Sequence, residues 1–232
     1  MAKIVLLVPG FQNKKFNARS KMEKLADRLE KEGWTVYVSD YGHGQPMKES
    51  IIHYAAEVAK EIEQYRPDVI IVHSMGGLVV RWSVEIMKCG YPGLKLIILE
   101  TPHQGLPLQD ISLGRLVAEV FKLINRLPDW DVPTWRSWKD MIKGSDFLRR
   151  LNESDQIQNN REGVSYYEIG GLLAFLWHGS YVNSNWQHFY DTFFLPRTMN
   201  CPTAVKFFPK TSHSGLKTNP QVIDYIVGII NT

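Results

Sequence analysis

The sequence predicts an α/β fold, a mostly parallel central sheet covered by helices on both faces. Three observations carry this. Short apolar runs alternate with stretches of helical periodicity. The runs lack a two-residue polar alternation, so both of their faces need cover. Several also stop at turn-forming residues, as Ile4 to Val8 does at Pro9-Gly10.

The elements follow in order. Ile4 to Val8 reads as a buried strand. Ser20-Lys21-Met22-Glu23 has the form of a capping box, and Met22, Leu25, Ala26 and Leu29 then share one helical face that ends at Gly33. Trp34 to Ser39, rich in β-branched and aromatic residues, predicts the second strand. Ile51, Ala55, Val58, Ala59 and Ile62 predict a helix closed before Pro67. Val69 to Val72 is the third strand. Leu78, Val79, Trp82 and Ile86 mark the next helix, and Leu94 to Leu99 the fourth strand.

The alternation then breaks. About 106 to 160 holds no convincing strand. Leu113, Leu116, Val117, Val120, Phe121, Ile124 and Leu127 lie at helical spacing, followed by Trp130, Trp135 and Trp138 among prolines. This stretch is expected to be a helical insertion, a cap with a wide apolar face. Strands resume at Val164 to Ile169 and Ala204 to Phe208. Asn219-Pro220 starts the last helix, packed through Val222, Ile223, Ile226, Val227 and Ile230. The expectation is one domain over 1–232 with its cap at about 106–160.

Bulk properties narrow the function. The 232 residues suffice for one sizeable core. A net charge of +3 and the lack of a Lys/Arg block argue against nucleic acid as a partner. Cys89 and Cys201 form neither a metal spacing nor a disulfide framework, and are expected to be inert buried thiols. No stretch approaches the roughly 20 apolar residues of a membrane span, and the first apolar run is too short for a signal segment. A cytoplasmic location is expected. Oligomeric state is not legible.

The residues with chemical potential gather at the carboxyl ends of the strands, where parallel sheets bind ligands. Val69 to Val72 runs into His73-Ser74-Met75-Gly76-Gly77. A serine on a sharp strand-to-helix turn exposes its hydroxyl and leaves the next N–H free for an oxyanion. The pattern Gly-x-Ser-x-Gly is incomplete, since Val72 replaces the first glycine. That valine predicts a slightly open elbow or a small residue facing it. His213 lies in the loop between the last strand and last helix, at the same sheet edge, where an imidazole within reach of Ser74 could take its proton. Two N–H donors complete the expected machinery, Met75 after the serine and Phe11 in the loop after the first strand.

His73-Ser74-Met75-Gly76-Gly77, Thr101-Pro102-His103-Gln104-Gly105, the stretch from Gly144 to Asn152, and Ser212-His213-Ser214-Gly215-Leu216 together resemble the bacterial lipase and esterase branch of the α/β-hydrolases. The resemblance covers most of the chain. It implies hydrolysis of carboxylic esters through an acyl-serine without a cofactor, with Ser74 as nucleophile and His213 as base. The sequence departs from the family at the acid. Where an Asp-Gly is usual, this chain has His178-Gly179. Glu100, at the end of the fourth strand, is the favoured replacement because a carboxylate there can orient the imidazole. Asp191 is the alternative, followed by Glu168, Asp155 or no acid.

His43, His103, His178 and His188 fit no compact metal spacing, so no metal is expected. His103 is expected to pack or hydrogen-bond behind the site. The substrate is expected to be a small-molecule or lipid ester with an apolar acyl chain. Thioester or amide hydrolysis and acyl transfer could use the same machinery. A non-catalytic binding protein of this fold is the rival in a different class. A nucleotide-binding protein ranks last, because the chain lacks both Gly-x-Gly-x-x-Gly and a Walker loop.

Overall fold

Six parallel strands form one sheet in the order β2-β1-β3-β4-β5-β6. They are β1 (Ile4–Val8), β2 (Thr35–Val38), β3 (Val69–His73), β4 (Lys95–Leu99), β5 (Ser165–Gly170) and β6 (Ala204–Phe207). The helices are α1 (Ala18–Lys31), α2 (Ile51–Tyr65), α3 (Met75–Arg81), α4 (Arg136–Asp140), α5 (Asp146–Glu153) and α6 (Pro220–Ile230). The structure is a computed structural model and describes residues 3–12, 14–106, 134–153, 163–171 and 204–232.

The sheet divides the core in two. Val5 and Leu7 of β1 and Val69 and Ile71 of β3 face α1 and α6. Leu6, Val8, Ile70 and Val72 face α2 and α3. Both faces of β1 and β3 are therefore buried, which explains their unbroken apolar runs.

Three local details differ from the sequence expectation. α1 starts at Ala18, not after Ser20. Asn17 is its cap, accepting from the Ser20 N–H at 3.1 Å, while the Ser20 hydroxyl turns back to the Asn17 carbonyl at 2.8 Å. Asn and Ser cap about equally well, and the chain carries both within four positions, so the earlier one wins. Gly33 follows α1 at φ 85°, and β2 is confined to Thr35–Val38. The single helix expected after Ser74 changes pitch, with Trp82–Ile86 forming a π-helical turn.

Much of the expected insertion lies outside the described residues, including the Leu113 to Leu127 stretch and Trp130. Its described part holds α4, α5 and an isolated bridge between Leu106 and Ile142. Cys89 is a half-buried free thiol, whose titration burial pushes up. Cys201 lies outside the described residues. Among the described residues, no helix is long and apolar enough to cross a membrane.

Candidate active site

Ser74 and Glu100 each stand one residue past the end of a strand, on the adjacent strands β3 and β4. Each extends the sheet ladder by one bond: Ser74 N–H donates to the Leu99 carbonyl at 3.0 Å, and Glu100 N–H to that of Ile169 at 2.9 Å. Each then turns sharply, at φ 56° and φ 49°. A non-glycine residue there is strained, and such strain clusters at functional sites.

The turn at Ser74 is crowded by design of the sequence around it. A Cβ on Gly76 would lie 2.5 Å from the Pro9 carbonyl oxygen, and one on Gly77 would lie 2.0 Å from Thr101 Oγ1. Thr101 Oγ1 uses that space to donate to the Ser74 carbonyl at 2.8 Å. The small residue facing the elbow is Gly10, where a Cβ would come within 2.7 Å of Ser74 Cβ. Val72 is fully buried in the core. The tight contacts thus fall on Gly10, Gly76 and Gly77, and the β3 position before His73 can carry a branched side chain.

His213 lies in the turn after β6, immediately before a short 3-10 helix (Ser214–Lys217). Its Nδ1 is 2.6 Å from Glu100 Oε2. The other carboxylate oxygen accepts the Gly171 N–H at 2.9 Å. With Glu100 ionised, Nδ1 carries the proton and Nε2 has the lone pair. His73 donates from Nε2 to the His213 carbonyl at 2.9 Å, and the two rings are 4.4 Å apart. Among the described residues, no hydrogen bond joins Ser74 Oγ to His213 Nε2. His73, the residue before Ser74, therefore ties the His213 turn to the elbow. Burial, followed by the charges of Lys217 and His213, holds His73 well below the usual histidine range. It stays neutral and keeps the N–H it donates.

Met75 is the first residue of α3, so its N–H has no partner within the helix. Phe11 follows Gly10 in the loop beside Ser74. Its ring lies 5.8 Å from Trp135 and 6.0 Å from Trp138. Of the residues expected at the site, Ser74, Met75, Phe11, Glu100 and His213 therefore gather at one sheet edge. Asp191, Asp155, His178 and His188 lie outside the described residues. Glu168 is engaged elsewhere: its Oε1 is 2.8 Å from His103 Nε2.

Behind the site runs a buried polar network. Arg81 forks onto both Glu85 oxygens at 3.0 Å, and its third nitrogen reaches His103 Nδ1 and Asn152 Oδ1, both at 3.0 Å. Arginine can only donate, so His103 Nδ1 accepts and Nε2–H donates to Glu168. Asn152 Nδ2 donates to the His103 carbonyl at 2.7 Å. His103 thus pins the corner that begins at Glu100. Sequence reasoning missed the tie from His73 and the support from Gly171. His73 stood in the quoted motif without a role, and Gly171 is 71 positions from Glu100.

No protein-family model matches the chain, and no curated protein is matched. Solved structures do resemble it. A Bacillus licheniformis lipase, BlEst2 in its mature form, superposes with a TM-score of 0.66 at 15% identity, covering 99% of this chain and 92% of that one. Polyneuridine aldehyde esterase gives 0.54 at 14% identity, covering all of both chains. Tomato methylketone synthase I, solved with 2-tridecanone, gives 0.55 at 13% identity over 100% and 98%. Sheet order, the Ser74 turn and these likenesses agree: the chain has the α/β-hydrolase fold.

Proposed function

We propose that the protein is a carboxylic ester hydrolase working through an acyl-serine, with Ser74 as nucleophile, His213 as base and Glu100 as acid. One observation carries the reading. A buried carboxylate meets Nδ1 of a histidine whose backbone is tied to the residue before a strained serine.

Glu100 fixes the tautomer that leaves His213 Nε2 basic, and it stabilises the imidazolium once formed. Substrate binding brings Nε2 within hydrogen-bond reach of Ser74 Oγ, a contact that is often long in free enzymes. Oγ attacks the acyl carbonyl and Nε2 takes its proton. The Phe11 and Met75 N–H groups receive the oxyanion. The tetrahedral intermediate collapses, the bond to the alcohol oxygen breaks, and His213 protonates the leaving alcohol. Water, deprotonated by His213, attacks the acyl carbon, and Ser74 leaves with its proton restored. No cofactor takes part in these steps.

The aromatic group of Phe11, Trp135 and Trp138 beside the elbow favours apolar acyl esters. The likeness to a lipase and an esterase supports the same class. The helical insertion is read as a cap, and the substrate as a small-molecule or lipid ester. Turnover of p-nitrophenyl esters of short and medium chain length tests the proposal. Activity well above that of Ser74→Ala is expected. Equal rates for the two proteins would leave the non-catalytic reading standing.

A further inference from the structure

The loop that carries Phe11 is held on several sides. Tyr41 Oη donates to the Pro9 carbonyl at 2.8 Å, Gln12 Nε2 to the Gly10 carbonyl at 3.3 Å, and the Met47 N–H to the Gln12 carbonyl at 2.9 Å. The Gly10 bond sets a direction. A trans peptide is planar, with its C=O and N–H on opposite sides. Holding the Gly10 oxygen therefore aims the Phe11 N–H the other way.

The Phe11 ring is held from a different part of the chain. Trp135 and Trp138 sit at and within α4, tilted 46° and 56° to that ring, and both are buried. α4 is in turn fastened to the segment that holds Gln12. The Ser137 hydroxyl donates to the Met47 carbonyl, and the Arg136 N–H to that of Lys48 at 2.9 Å. Asp140 Oδ2 accepts from Ser50 Oγ at 2.7 Å and from the Ile51 N–H at 2.8 Å, capping α2.

We propose that Trp135 and Trp138 are positioning residues, and that α4 holds the Phe11 N–H in its oxyanion-binding direction. The proposal rests on the esterase reading. It makes this part of the insertion a support of the catalytic machinery as well as a wall near the substrate. A wall and a support differ in kinetics. A residue that only lines the acyl pocket changes KM and chain-length preference. One that aims an oxyanion donor changes the transition state alone, so kcat falls alike for every ester.

The test measures kcat and KM on p-nitrophenyl acetate, butyrate and octanoate. The proteins are the wild type, Ser74→Ala, the double variants Trp135→Ala/Trp138→Ala and Trp135→Phe/Trp138→Phe, and Ser137→Ala. The double alanine variant is expected to lose about tenfold or more in kcat on all three esters, below the loss of a whole donor. Its KM should stay within about threefold. The double phenylalanine variant, which keeps a ring against Phe11, should recover most of the rate. Unchanged kcat, or a loss confined to one chain length with a raised KM, would overturn the positioning role. Should the alanine variant fail to fold, Ser137→Ala decides: a fall in kcat at constant KM supports the proposal, and no fall overturns it. A wild type no faster than Ser74→Ala removes the esterase reading itself, and this role with it.

Discussion

His213 and Glu100 meet at 2.6 Å although they stand 113 positions apart, because one ends the turn after β6 and the other ends the ladder of β4. The contact is nearly sealed from water, with Glu100 1% and His213 11% exposed in their side chains. In so dry a setting the loss of the carboxylate charge is felt in full.

Glu100→Gln keeps the size of the side chain and removes the charge. Its kcat on p-nitrophenyl butyrate is expected to fall by up to about 10⁴, the loss seen when a triad acid becomes an amide. Asp191→Asn should stay close to wild type. A Glu100→Gln enzyme within a few-fold of wild type would exclude Glu100 as the acid.

Gly10 and Gly77, two of the tightly packed glycines of the elbow, are predicted to fail in different ways when replaced. An added methyl at Gly77 meets Thr101 Oγ1 and displaces it from the Ser74 carbonyl. Gly77→Ala should lower stability by about 1–3 kcal/mol in urea unfolding. Gly10→Ala pushes on Ser74 Cβ itself. It should cost more in kcat than in stability, which the same two measurements separate.

The network behind the site should matter mainly to stability. His103→Ala leaves Glu168 buried without its imidazole partner and breaks one of the Arg81 contacts. Breaking a buried polar network of this kind costs about 3–5 kcal/mol. His103→Gln, which can both donate and accept, should recover part of that loss. Thermal and urea unfolding of the three proteins provide the check.

Lys217 gives the protein an alkaline dependence. Burial, then the nearby charge of Lys21, lowers its ammonium from 10.5 to about 8. Between those values the unfolded chain binds more protons than the folded one, so stability rises with pH across that window. Below about 8 the folded protein bears the full cost of the buried charge. Lys217→Met should therefore raise the free energy of unfolding at pH 7 by about 1–3 kcal/mol after allowance for partial exposure. It should also flatten the rise between pH 8 and 10.5. A variant less stable at pH 7, with the slope intact, would contradict this.

The strands, the elbow and the last helix were legible because their signals are local. β3 is an apolar run stopped by a serine and two glycines, and Asn219-Pro220 caps α6 as its spelling requires. The apolar stripe of α1 is equally local, but its start is not legible, since Asn17 and Ser20 offer rival caps of similar strength. At the site, spelling placed Ser74 and His213 at one edge but left Glu100 beside Asp191 as choices for the acid. Deciding between carboxylates takes a distance, which no local pattern contains. The same limit hid His73, whose partner is the carbonyl of a residue 140 positions away. The π-helical turn after Arg81 was invisible for another reason: its apolar spacing is also that of an ordinary helix.

The strand from which the carboxylate comes has a consequence for how this scaffold can be altered. The proposed acid leaves the sheet from β4, next door to the strand that bears Ser74. On that reading, the charge does not have to come from the connection between β5 and β6. That connection could then be lengthened, shortened or exchanged without removing the proposed charge, provided Gly171 keeps its hydrogen bond to Glu100.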